Sequence, residues 1–132
     1  MGLLNKYSTD HNKIEDGVKM PLGDAFFIIS YFNSTKCRLY LETKAKIYSK
    51  LYPMEQVNQM VLHETLINLV VLGWENLKEK KNPDEEETLV EYSKEELKRL
   101  LIEYPGLDID LMELSGRVEL FKKEDAESTK GK

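Results

Sequence analysis

At 132 residues and a formal net charge of −5, the chain has the size of one domain and leaves little room for a second independent core. Apolar residues make up 41% and charged residues 33%, so a modest core under a heavily solvated surface is expected. No block of Lys and Arg could track a phosphate backbone, and the longest uncharged apolar-rich stretch, Leu66 to Trp74, falls far short of the about 20 residues that span a bilayer. Neither nucleic acid nor membrane is an expected partner.

The first 24 residues are polar and broken by Asn5, Asn12, Asp16-Gly17, Pro21 and Gly23, which reads as an irregular or extended lead-in over 1–24. They contain no signal-peptide apolar region, so a cytoplasmic location is expected. AFFIISYF, residues 25–32, concentrates aromatic and β-branched side chains and reads as a short strand or as a buried first helical turn. Asn33, Ser34 and Thr35 offer caps for a helix over about 36–51, closed by Pro53. Within it Leu39, Tyr40, Thr43, Ile47 and Leu51 form the expected inner face, and Lys36, Arg38, Glu42, Lys44, Lys46 and Lys50 a largely basic outer one.

A longer helix is expected from Met54 to about Lys78, with Pro53 at its start. Its first half is amphipathic. Its second half, LINLVVLGW, is apolar nearly all round apart from Asn68, and such a segment must be surrounded on several sides, either as the centre of the fold or as a protein-binding surface. The candidate partner-binding residues are therefore Met60, Val61, Leu62, Leu69, Val70, Trp74 and Leu77. KEKKNPDEEE, residues 78–87, reads as a solvated turn, followed by a short extended TLVEY. Ser93 with Glu96 three residues on has capping-box spacing and opens a helix over about 94–103 that stops before Pro105-Gly106. A last helix is expected over 108–123, and a disordered tail over 124–132. The fold class that follows is mainly α: one small helical domain of about four helices over 25–123, with a short extended N-terminal segment.

Chemistry-bearing patterns are thin. His63-Glu64 begins the H-E-x-x-H spacing of metalloproteases, but position 67 is Ile, and the other histidine, His11, lies in the lead-in. Cys37, the single cysteine, has no recognisable histidine partner, no glycine pattern cradles phosphate, and the acidic run at 84–87 lacks the spacing of a calcium loop. No metal, no cofactor and no catalytic residue is expected, and the chain reads as a non-enzymatic binding protein.

One ordered set of features carries a resemblance. VVLGWENL ends an apolar helix, Asn82-Pro83-Asp84 forms a charged turn, LVEYSKEE enters a capped helix, LLIEYPGL breaks it at Pro105, and the final helix ends in ELF; upstream, FFIISYFN precedes a basic helix. In this order the chain resembles the tail assembly chaperones of long-tailed bacteriophages over about 25–121, although that family commonly has Gly where Glu85 follows Asp84. The resemblance implies a chaperone in the host cytoplasm that binds and solubilises the long tape measure protein during tail assembly; self-association is expected separately, from the apolar excess of Leu66 to Trp74. The rival expectation is a structural virion protein of the neck or tail.

Overall fold

The computed structural model describes residues 3–123, so the tail expected over 124–132 lies outside the described residues. The mainly helical expectation is corrected: the protein is a mixed α/β fold with two small antiparallel sheets. After a 3-10 segment at Leu3–Tyr7, the elements are α1 (His11–Asp16), β1 (Val18–Leu22), β2 (Ala25–Ile29), α2 (Thr35–Ser49), α3 (Met54–Thr65), a π-helical turn (Leu66–Val70), β3 (Val71–Glu75), β4 (Lys78–Glu79), β5 (Thr88–Leu89), α4 (Lys94–Glu103) and α5 (Leu107–Ser115), followed by a 3-10 turn at Val118–Leu120. Among the described residues no helix is long and apolar enough to cross a membrane.

The segment read as an irregular or extended lead-in contains the first strand, in keeping with the extended alternative, and also a short helix. Asp10 caps α1 by accepting the Asn12 N–H, and Gly17, at φ +80°, turns the chain into β1. β1 and β2 then form a hairpin with Leu22 opposite Ala25, and Gly23 at φ +62° makes the tight turn. Ala25, Phe27 and Ile29 point inward while Phe26 faces out, so the period-2 pattern selects the strand reading of 25–32 over the helical one.

The largest difference lies in the long helix expected over 54–78. α3 stops at Thr65, whose hydroxyl donates to the Val61 carbonyl at 2.7 Å, a back-bond that loosens the ladder at the point where it widens into the π-helical turn. From Val71 the chain is extended and pairs with β2, completing the sheet order β1-β2-β3. The adjacent β-branched pair Val70-Val71 favours that change, and Ile28 Cδ1 lies 3.4 Å from where a Cβ on Gly73 would stand.

α4, α5 and the π-helical turn supply Leu66, Val70, Leu97, Leu100, Leu111 and Leu114 to the inner side of the sheet. Trp74 closes the core edge: its Nε1–H donates to the Val90 carbonyl at 2.7 Å, and its ring meets Phe27 and Tyr92 edge-on. The helix expected over 108–123 is also shorter. Gly116 ends α5, and Phe121 is fully buried after the 3-10 turn.

Candidate protein-binding surface

The structure places the seven sequence-derived candidates in or against the core. Val61, Val70 and Trp74 are buried, Leu62, Leu69 and Leu77 pack against the core, and Met60, within α3, is half-buried. The apolar excess of Leu66 to Trp74 is thus mostly absorbed by the chain's own sheet and helices, with Leu72 left 40% exposed on β3. Three of the seven are buried, and Met60, Leu62, Leu69 and Leu77 keep part of their surface accessible.

A row of exposed apolar side chains begins on α2. Ser34 caps this helix by accepting the Cys37 N–H at 3.2 Å, and Lys50 ends it. Its half-buried face is Tyr40, Leu41, Lys44, Ala45 and Tyr48, turned by one position from the face the sequence suggests. That face is tied down by polar contacts. Tyr48 Oη donates to Glu64 at 3.0 Å, Lys44 lies 3.9 Å from the same carboxylate and over both tyrosine rings, and Asn68 donates to Tyr40 Oη at 2.9 Å. The Glu64 carboxylate pushes the Tyr48 phenol up to about 12, so it remains a donor at neutral pH.

Turning this face inward leaves Leu39 and Ile47 59% and 48% exposed, with Thr43 between them. The row continues at the turn into α3 with Leu51 and Met54, 67% and 63% exposed, beside Tyr52. Lys36, Arg38, Lys46 and Lys50 flank it, all exposed, and none forms an ion pair among the described residues. The sequence had put Leu39, Ile47 and Leu51 inside. Tyr and Lys stems can cover apolar surface while their heads stay polar, and the number of cations on α2 is the one signal that could have exposed the ambiguity.

The remaining candidate chemistry is structural in its geometry. His63 Nε2 lies 3.0 Å from Asp108 Oδ2, joining α3 to α5, and among the described residues no group of three or more His, Cys, Asp and Glu is placed to hold a metal ion. Burial pushes the Cys37 thiol up, which disfavours the reactive thiolate. Asn68, the polar exception in the apolar stretch, is exposed and accepts from Lys94 while donating to Tyr40. Glu79, read as part of a solvated turn, is buried: Arg99 Nη2 and Nη1 hold its two oxygens at 2.8 and 3.0 Å, and Tyr104 Oη donates at 2.6 Å. This cluster fastens β4 to α4.

A family model described as YdaY prophage protein matches residues 31–132, a stretch that includes α2 and every described element after it. No curated protein and no solved structure matches the chain.

Proposed function

Because the chain belongs to the YdaY prophage protein family, we propose that it serves phage assembly as a non-catalytic chaperone in the host cytoplasm, binding and solubilising the tape measure protein. The observation that carries this reading is the exposed apolar row of α2, because a surface of large apolar side chains gains most by being covered. A long amphipathic helical client exposes complementary apolar surface and aggregates when free. Many copies, each weakly bound, would coat it through multivalency while their acidic exteriors keep the complex dispersed.

Co-expression with the phage's tape measure protein tests the reading. The client should move from the pellet to the soluble fraction only with this chain present, and the chain should be missing from purified particles. An insoluble client would remove the chaperone role, and stoichiometric incorporation into particles would favour a structural neck or tail subunit.

A further inference from the structure

The charges around the exposed row specify the chemistry of what covers it. We propose that α2 docks an amphipathic helix whose apolar row is flanked by carboxylates, an inference that rests on the client-binding reading above and adds the polarity of the client segment.

The chain as a whole is acidic, yet the solvent side of α2 carries Lys36, Arg38, Lys46 and Lys50 against Glu42 alone. Lys44 is already committed to Glu64 on the inner side, so the exposed cations are an excess over what the fold consumes. Such a strip repels the α2 of a second copy and attracts a carboxylate-flanked partner, raising both its on-rate and its selectivity.

The shape of the row points to a helix. Leu39, Thr43 and Ile47 follow the i+4 ridge that fits the groove of another helix, and from Leu39 to Ile47 it runs about 12 Å. A lipid surface would favour a broad apolar face. Here the row is one residue wide, interrupted by Thr43 and bordered by the exposed Glu42. It widens only at the turn into α3, where Leu51, Tyr52 and Met54 provide the apolar anchor.

The test uses the full chain and two designed helical peptides with the same leucine row, one flanked by Glu and one by Lys, followed by fluorescence anisotropy. The Glu peptide should bind, weaken with added salt, and lose about tenfold in affinity with K46E/K50E, which should in turn gain the Lys peptide. Ile47→Asp should abolish binding of the Glu peptide while circular dichroism stays unchanged. Equal binding of both peptides, or binding only to vesicles containing anionic phospholipid, would overturn the proposal. The two readings fail separately. If the Glu peptide binds through α2 but the tape measure protein never co-purifies, the chaperone reading fails and the surface assignment stands; if the tape measure protein co-purifies equally with K46E/K50E, the assignment fails and the chaperone reading stands.

Discussion

Glu79 shows how a single side chain can reverse the reading of a segment. It sits in a run of charges that reads as solvent-exposed, and its burial depends on Arg99 and Tyr104, twenty and twenty-five residues further on, which no local pattern announces. The Arg99 guanidinium and the Tyr104 hydroxyl hold the Glu79 carboxyl at about 2, against an ordinary value of 4.5. A carboxyl depressed in the folded state stabilises the fold fully above its unfolded value, and the contribution is lost as pH falls through the folded one. Glu79→Gln should therefore cost about 2 kcal/mol near neutral pH. Denaturant melts of the two proteins should converge as the pH drops from about 4.5 towards about 2; a gap that persists unchanged in acid would contradict the ion-pair account.

Ser93 is the opposite case, because its role is legible from four consecutive residues. Its Oγ accepts the Glu96 N–H at 3.0 Å, as the spacing requires, although the Glu96 carboxylate turns to Arg99 at 2.8 Å. Ser93→Ala should lower unfolding free energy by about 1 kcal/mol, and a denaturation midpoint equal to that of the unaltered chain would remove the cap from the account. Gly17 was legible only as a breaker. A Cβ there would stand 2.8 Å from Ile28 Cγ2 and 2.9 Å from Leu72 Cδ1 at a positive φ, so Gly17→Ala should destabilise by about 1–3 kcal/mol, read from the same melts.

At the scale of elements, α4 was legible to the residue, because a capping serine and a following Pro-Gly bound it on both sides. The chain between Met54 and Trp74 was not. Twelve residues of amphipathic helix run without a breaker into nine that are apolar on every side, and an all-round apolar run fits a buried helix and a paired strand equally well. The strand partner that decides the matter, β2, lies more than forty residues upstream. α2 was placed correctly but faced wrongly, since it carries apolar side chains on both sides. The two segments separate experimentally. Val70→Asp puts an unpaired carboxylate at a fully buried position and should cost more than about 4 kcal/mol, enough to unfold a marginal domain. Leu39→Asp, on the open side of α2, should leave circular dichroism and the denaturation midpoint within about 0.5 kcal/mol of the original. A folded Val70→Asp variant that no longer binds the client would return the partner surface to the apolar segment.

For the whole molecule, size, single-domain scale and acidity bounded the answer, while the fold class did not follow from them. The helical expectation failed because β3 lies inside the segment read as an apolar helix and β4 at the start of the charged run read as a turn, while β1 turns the irregular or extended lead-in over 1–24 into part of a sheet. The consequence for function is direct. Once β3 and the π-helical turn take most of Leu66 to Trp74 into the core, α2 and the turn after it present an exposed apolar row, beside cations that form no ion pair among the described residues, on a protein belonging to a prophage family. The most direct test of that assignment is the affinity of Ile47→Asp for the tape measure protein, measured on a variant shown by its denaturation midpoint to be folded. An interface anchor predicts a loss of about thirtyfold or more. An unchanged affinity in the folded variant would contradict the assignment of α2 as the binding surface.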